Sequence, residues 1–450
     1  MAEQKAPENF LEKNFFKIIG ILIAVFIIYI AFKAEILFPV LGTIFLGWIG
    51  WKVWVHYVQQ DFISGIEFVL LEIIPPRDVL RSPKAMELFI TNALYHWSFK
   101  GGKEEYWQGA VWFWNSLEIA SIDGQVHFYV RAPSRLKSLI ETQMYAQYPQ
   151  SQVKVADDYT LAVPEISAES PWNGWGCEFR LIKHWAFPLN TYVDYGLDKD
   201  PKEEYKVDPI SPLIEFFGSL QRGEQAWMQV VIKPTGPTGG KGRDWVEESQ
   251  EKMKEILKPY TRVQHGIDEG TALEIRAPKF FDSLIEGMNR KAERLGFEAG
   301  IRIMYVAKKE AFNMNNRRNI RLIFRQFAKP DSNELWRVNS AQPDFYGGVF
   351  TSGPKTVMML ANRMLHEFRD RHFFHLPLRH HILSKRFWSW PFPQVLEISP
   401  LIKAYPHVHT FILGVEEIAT LWHFPGQILK VPTLERIESK EAAPPPNLPT

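Results

Sequence analysis

Cysteine is nearly absent from this sequence of 450 residues, in which Cys177 is the only one. A single cysteine excludes a disulfide within the chain and a metal site built from several thiolates. It fits a reducing compartment. Cys177 opens the apolar stretch "CEFRLI", with His184 further along. A structural cysteine in a strand is therefore favoured over a nucleophile.

The sequence also lacks a surplus of charge of either sign. Its 52 Lys and Arg residues are balanced by 51 Asp and Glu residues, which leaves a formal net charge of +1. Such a chain has no global field that would attract one class of partner. Basic residues are concentrated locally, however, because twelve Lys or Arg stand against five Asp or Glu between Lys279 and Lys329.

A complete phosphate-binding loop is missing as well. The segment "WMQVVIKPTGPTGGKGRDWVEESQEKMKEIL", residues 227–257, has the order strand, glycine-rich loop and helix. The P-loop motif requires G-x-x-x-x-G-K-[ST]. Here Thr235 replaces the first glycine, Gly242 replaces the hydroxyl residue, and Pro237 removes a backbone N–H. We therefore predict a structural loop, no cofactor and no enzymatic activity.

Two apolar runs are present near the N-terminus, from Phe15 to Lys33 and from Ile36 to Tyr57. Each approaches the length of about 20 residues that a membrane-spanning helix needs. We predict a cytoplasmic N-terminus over 1–14 and a transmembrane hairpin over 15–57, with a buried pair of helices as the alternative. The lysines that flank the runs favour both ends, and the body that follows, in the cytoplasm.

Residues 65–160 carry the pattern of a ferredoxin-like unit. The apolar strand "FVLLEIIPP" precedes a helix that begins near Ser82 and Pro83, and two strands then meet at Asp123-Gly124, a strong hairpin signal. A second helix and the strand "SQVKVADDY" follow. This βαββαβ order is that of the ferredoxin-like fold.

An internal repeat predicts a second unit of the same kind over 226–310. "VRAPSRLKSLIE" from Val130 and "IRAPKFFDSLIE" from Ile275 share seven of twelve residues, and each follows a strand and opens a helix. Residues 161–225 are predicted to connect the units, 311–436 to form a mixed α/β region, and 437–450 to form a Pro/Ala-rich tail. The predicted fold class is α+β, with the hairpin followed by two ferredoxin-like units.

The basic run contains one stretch with helical spacing, "NNRRNIRLIFRQFAK". It places Arg317, Arg318, Arg321 and Arg325 so that three of them share one stripe of a helix. These four residues are the candidate site for DNA phosphates or anionic lipid headgroups. The alternative is a solvated helix face or a salt-bridge surface between domains.

Histidines cluster between His366 and His423, and "HEFRDRH" resembles the zinc motif H-E-x-x-H. That motif needs two histidines at i and i+4 on one helix face. The i+4 position is Asp370 here. We therefore predict no metal site, with zinc held by other histidines as the alternative.

A family resemblance lies in the stretch "VHFYVRAPSRLKSLIETQMYAQYPQSQVKVADDY", together with "VEEIATLWHFPG" and "SKEAAPPPNLP". The chain resembles the non-catalytic N-terminal half of large membrane-anchored bacterial proteins, seen mainly in Patescibacteria. Their C-terminal half resembles type IV secretion (conjugation-type) ATPases. In such proteins the ATPase would follow a tail like "PPPNLP". It is not in this sequence, so the family's ATPase activity is not expected here.

The resemblance implies a non-enzymatic, membrane-anchored scaffold or adaptor of a type IV secretion-like, DNA-translocating system. The expected location is the bacterial inner membrane, with several spans and the body in the cytoplasm. The expected partners are the lipid bilayer, a separate secretion-type ATPase and DNA, and a homo-oligomer is compatible with this role. The alternative is a membrane-tethered nucleic-acid-binding module that uses the basic region 279–329.

Overall fold

The computed structural model describes residues 23–26, 28–30, 37–76, 81–96, 101–199, 207–236, 245–265, 271–275, 278, 280–340, 354–375 and 410–426. They belong to two compact units. One comprises residues up to 62 together with 102–110, and the other comprises the remainder of the chain.

The α-helices of the described residues are numbered along the chain from Leu37 onward, and residues 23–26 and 28–30 before them are also helical. The helices are α1 (Leu37–Ser64), α2 (Lys84–Leu94), α3 (Gly102–Tyr106), α4 (Lys137–Gln147), α5 (Ser211–Gly218), α6 (Trp245–Leu257), α7 (Phe280–Ala292), α8 (Met314–Asn319), α9 (Pro354–Asp370) and α10 (Val415–Leu421).

The smaller unit contains α1 and α3, which share a cluster of aromatic rings. Trp51 lies 5.8 Å from Tyr106 and 6.5 Å from Trp107, measured between ring centroids. Trp54 lies 6.0 Å from Trp107, and its indole N–H donates to the carbonyl oxygen of Tyr106 at 3.2 Å. Trp51 and Trp54 of the second apolar run, though partly exposed, therefore contact the rings of Tyr106 and Trp107 within this unit.

The predicted transmembrane hairpin over 15–57 is wrong. Among the helices of the described residues, none combines the length and the apolar character that crossing a membrane requires. Helix α1 is 28 residues long, but Pro39, several glycines, Lys52 and His56 interrupt its apolar residues. Most of the first predicted span, Phe15 to Lys33, lies outside the described residues. The predicted multi-pass location in the inner membrane is wrong for the same reason.

The larger unit is built on one antiparallel sheet of nine strands. Its order is β10-β5-β9-β6-β2-β3-β1-β4, with β11 beside the first part of β9. A separate hairpin contains β7 and β8. The strands are β1 (Phe68–Ile74), β2 (Asn115–Ile122), β3 (Gln125–Pro133), β4 (Gln152–Val155), β5 (Trp172–Leu181), β6 (Glu224–Pro234), β7 (Thr261–His265), β8 (Thr271–Ile275), β9 (Gly296–Lys308), β10 (Leu335–Val338) and β11 (Phe411–Gly414).

The α+β class is confirmed, but the two separate ferredoxin-like units are wrong. Elements β1, α2, β2, β3, α4 and β4 follow the βαββαβ order, and their strands lie in the order β4-β1-β3-β2. In the second repeat, β6 pairs with β2 of the first, from Asn115↔Ile232 to Ile122↔Gln225, and β7 and β8 pair with each other alone. Strand β2 is the outer strand of the first repeat, and its pairing with β6 joins both repeats in one sheet. The domain boundaries themselves stay predictions.

The sheet is covered on both faces. On one face, Trp422 packs on Phe89 of α2 at 6.4 Å and on Phe128 of β3 at 5.9 Å. On the other face lies α9, which approaches the sheet closely at two glycines. A Cβ added at Gly176 would stand 2.6 Å from the Met364 side chain, and one added at Gly300 would stand 2.3 Å from the ring of Phe373.

We expect Gly300→Ala to lower the free energy of unfolding by about 1–3 kcal/mol, because the added methyl group overpacks this contact. Urea unfolding of the purified chain would measure the change. The matched control is Gly101→Ala, since a Cβ at Gly101 meets no heavy atom within 4 Å. Equal stability of the two variants would contradict the close approach of Phe373 to β9.

Candidate functional site

A row of polar side chains crosses the sheet on the face that α9 covers. Each member is the direct cross-strand partner of the next, so all of them point to the same face. Apolar residues surround the row along most strands, and its central members are buried. From the β4 edge inward, the row is Lys154, Glu72, Tyr129, Glu118, Gln229, Arg302 and Glu178.

The centre of the row is an ion pair between Glu118 and Arg371, the residue after α9. Both side chains are fully buried. Arg371 adopts a positive φ of 53° and donates to both Glu118 carboxylate oxygens, at 3.0 and 3.2 Å. It also donates to Asp158 at 3.1 Å. Glu118 accepts further hydrogen bonds from the hydroxyl of Tyr159 at 2.7 Å and the amide of Gln229 at 3.0 Å.

The electrostatics of this pair follow from burial and from its partners. Burial alone would lower the pKa of Arg371, but the carboxylates of Glu118 and Asp158 outweigh burial and raise it. Burial alone would raise the pKa of Glu118, but Arg371 and the hydroxyl groups of Ser116 and Tyr159 together outweigh burial and lower it. Both groups are therefore charged at neutral pH, and the pair fixes the end of α9 on β2.

Arg302, a member of the row, also holds α9, through hydrogen bonds to backbone carbonyl groups. It donates to Glu178 at 3.1 Å and to the carbonyl oxygen of His372 at 2.8 Å, and it also donates to the carbonyl oxygen of Glu367. Its guanidinium stacks 3.9 Å from the ring of Phe373. The other oxygen of Glu178 accepts from the amide of Asn339 at 2.6 Å.

A cavity of about 380 Å³ lies along α9, near the end of the row that contains Arg302 and Glu178. Burial, followed by the negative charge of Glu178, raises the pKa of Glu367 to about 7. Arg363 lies 3.3 Å from the Glu367 carboxyl. Glu367 can therefore exchange a proton near neutral pH. The cavity is lined by Met359, Asn362, Arg363, His366, Glu367, Asp370 and His372.

The histidines of "HEFRDRH" both line this cavity, but each is close to a different carboxylate. His366 lies 3.5 Å from Glu165, and His372 lies 3.0 Å from Asp370. Within the part of the chain that the structure describes, no three histidine, cysteine or acidic residues come together as a metal site. His407 and His409 lie outside the described residues.

The basic run from Lys279 to Lys329 divides into two parts. Its first cations are paired inside the fold: Arg290 with Asp194 and Glu416, Lys291 with Glu417, Arg294 with Glu87 and Glu416, and Arg302 with Glu178. The pairs with Glu87, Glu416 and Glu417 join α7 and the residues just after it to α2 and α10, and the pair of Arg302 joins β9 to β5. The surface part of the run comprises Lys308, Lys309 and the segment that contains Arg317, Arg318, Arg321 and Arg325.

This segment is not the single helix that its spacing predicts. Helix α8 ends at Asn319, and two 3₁₀ turns follow, Ile320–Leu322 and Arg325–Phe327. The chain changes direction because its apolar residues are buried against the sheet. Ile320 and Phe327 are almost fully buried, and the ring of Phe324 lies 4.4 Å from that of Phe179 on β5.

The arginines of the segment lie beside the edge strand β10. Arg318, Arg321 and Arg325 are exposed, and Arg317 is half-buried. Burial lowers the pKa of Arg317, and the positive charges of Arg318, Arg321 and Arg337 lower it further. Three of the four predicted residues therefore lie close together, with Arg337 of β10 as a neighbour. We call Arg317, Arg318, Arg321, Arg325 and Arg337 the basic surface.

The polar row was not predicted from the sequence, although a signal for it exists. Glu178, Gln229 and Arg302 each lie within an apolar strand, as in "GCEFRL", "WMQVVI" and "GIRIMYV". A lone charged or amide side chain in such a strand needs a buried partner. The sequence does not show which strands place these residues opposite one another.

The comparisons with known proteins give one family match. Residues 113–433 match the family model described as "Domain of unknown function (DUF8128)". This segment is well over half of the chain and contains Glu118, Arg302, Arg371 and the basic surface. No curated protein matches the chain.

Proposed function

The chain belongs to the DUF8128 family of domains of unknown function, and we propose that it is a non-enzymatic scaffold or adaptor of a type IV secretion-like, DNA-translocating system. A secretion-type ATPase is the proposed partner. The resemblance to Patescibacteria proteins that carry such an ATPase half supports this assignment. The structural support is the basic surface on a sheet whose buried charges are paired with one another.

The contrast between buried and surface charges carries this proposal. Arg302 and Arg371 are engaged in ion pairs and carbonyl contacts that join the layers of the fold. In the described part of the chain, Arg318, Arg321 and Arg325 form no ion pair with a carboxylate. Clustered arginines next to an edge strand whose other face carries an exposed tryptophan, Trp336, have the composition of a protein-binding hot spot. They can contact a partner without disturbing the fold.

A crosslinking pull-down of the full chain from its native cells, analysed by mass spectrometry, tests this assignment. We expect an ATPase subunit among the most enriched partners and a clear loss of it with Arg318→Glu plus Arg321→Glu. The control changes Arg81 and Lys84 to Glu, since both are exposed and carry the same charge. If the unaltered chain captures no ATPase, the proposal is wrong.

A second candidate function is nucleic-acid binding by the basic region 279–329. The crowding of Arg317 with three other arginines favours it, because phosphates would relieve the repulsion between them. The ion pairs of Arg290, Lys291, Arg294 and Arg302 remove four cations from this surface, and the segment 317–325 remains with the exposed Lys308 and Lys309. DNA binding that weakens with salt, and that is lost on changing Arg317, Arg318, Arg321 and Arg325 to Ala, is the expected result. Unaltered binding by that variant would rule out this site.

A further inference from the structure

The edge strand β10 presents an exposed aromatic ring and neighbouring cations. Trp336 is 56% exposed, and its cross-strand partner on β5 is Arg180, which is also exposed. The next residue, Arg337, points to the opposite face of the sheet, where it lies near Arg317. The ring and Arg180 thus share one face of the sheet at this edge, and Arg337 lies with Arg317 on the other face.

We propose that the β10 edge binds single-stranded nucleic acid that passes round this edge, with a base stacked on Trp336 beside Arg180 on one face and phosphates held by Arg318, Arg321 and Arg337 on the other. This inference rests on the second candidate function and assigns its ligand class. Stacking on an aromatic side chain needs a base whose face is free, which a duplex does not offer. Arginines along the edge supply the charge for the phosphate backbone.

The charge around β10 sets the extent of this surface. The exposed acidic residues Asp331 and Glu334 precede Trp336, at the start of the strand. They would repel phosphates there. The strand end with Arg337 lies towards α8, where Arg317 and Arg318 add positive charge. The nucleic acid is therefore expected to run from Trp336 round the edge of β10 towards α8. Charge complementarity selects this occupant, and an acidic protein segment is the competing outcome of the test.

Fluorescence anisotropy with the full chain tests the inference, using labelled oligothymidine of about 20 nucleotides and a duplex of equal length. We expect the single strand to bind at least about tenfold more tightly than the duplex. Trp336→Ala is expected to weaken single-strand binding about tenfold and to leave duplex binding unchanged, because stacking is lost. Trp336→Phe retains a ring and is expected to restore most of the affinity.

The arginine contribution is measured by the salt dependence. Changing Arg318 and Arg321 to Ala is expected to reduce the slope of log K against log salt by about 1.4, at about 0.7 per phosphate contact on a single strand. The controls are Arg81→Ala plus Lys84→Ala for charge, and Tyr145→Ala for the loss of an aromatic ring that is 42% exposed on α4. Neither control is expected to change binding.

Three results would overturn the inference. They are equal affinity for single strand and duplex, an unchanged affinity of Trp336→Ala, and binding of a polyglutamate peptide in place of nucleic acid. The adaptor assignment is tested independently, because the pull-down measures capture of an ATPase and not binding of an oligonucleotide. An ATPase captured by a chain that binds no oligothymidine would reject the nucleic-acid edge and keep the adaptor.

Discussion

Replacing Arg371 with Met is expected to lower the free energy of unfolding by about 3–5 kcal/mol, because it leaves the buried carboxylate of Glu118 without its cation. Arg371 is buried and donates to Glu118 and Asp158. Removal of one partner from such a pair leaves a charge in a medium that solvates it poorly. Urea unfolding of the purified chain, followed by circular dichroism, would measure the loss.

Two further variants separate the effect of losing the ion pair on stability from the effect of losing side-chain packing. Glu118→Gln combined with Arg371→Met removes both charges, so the double variant is expected to be more stable than Arg371→Met alone. Lys137→Ala is the surface control, because its contact with Glu141 at 3.9 Å is exposed and should contribute less than about 1 kcal/mol. A loss below about 1 kcal/mol for Arg371→Met would show that the pair does not hold α9.

Local structure in the first repeat was predictable from the sequence. The hairpin at Asp123-Gly124 is present, with Asp123 and Gly124 both at positive φ, and β2 and β3 pair on either side of it. A short-range pattern is sufficient there, because the turn residues and the apolar alternation lie next to each other in the chain. The same argument explains why the βαββαβ order of elements could be read in advance.

Long-range pairing was not predictable in the same way. The strand β6 is buried along nearly its whole length, as its continuous apolar run indicates. That run requires neighbours on both edges and cover on both faces, but it does not say which strands supply them. The structure places β2 on one edge and β9 on the other. In a separate second unit, the hairpin of β7 and β8 would pair with β6, at the edge of β6 where β2 pairs instead.

The pairing of charged residues in the candidate site could not be predicted from the sequence either. Arg290 and Arg294 stand four residues apart, on α7 and just beyond its end, like the arginines of the predicted surface. They face Glu416 of α10, more than a hundred residues further along the chain. Spacing alone cannot separate such paired cations from those at a surface. The second apolar run is a parallel case, because tryptophans fit both a membrane interface and a packed aromatic cluster.

Glu367 is expected to make the stability of the chain depend on pH near neutrality. The pKa of Glu367 is raised from 4.5 to about 7 by burial and by the charge of Glu178. Arg302 and Arg363, the cations that face it, oppose this rise. Between these two pH values the folded chain holds a proton that the unfolded chain has released. The stabilisation is thus complete below about pH 4.5 and is lost as pH rises through about 7.

The expected loss is about 3 kcal/mol over that window, since one pKa unit corresponds to about 1.4 kcal/mol. Glu367→Gln carries no titrating proton and can still donate a hydrogen bond to Glu178. The difference in unfolding free energy between this variant and the unaltered chain should therefore grow from about pH 5 to about pH 8, in favour of the variant. Glu215→Gln, at an exposed side chain of α5 away from this cavity, is the control and should leave the profile unchanged. A constant difference across the window would mean that the pKa of Glu367 is not raised in the folded chain.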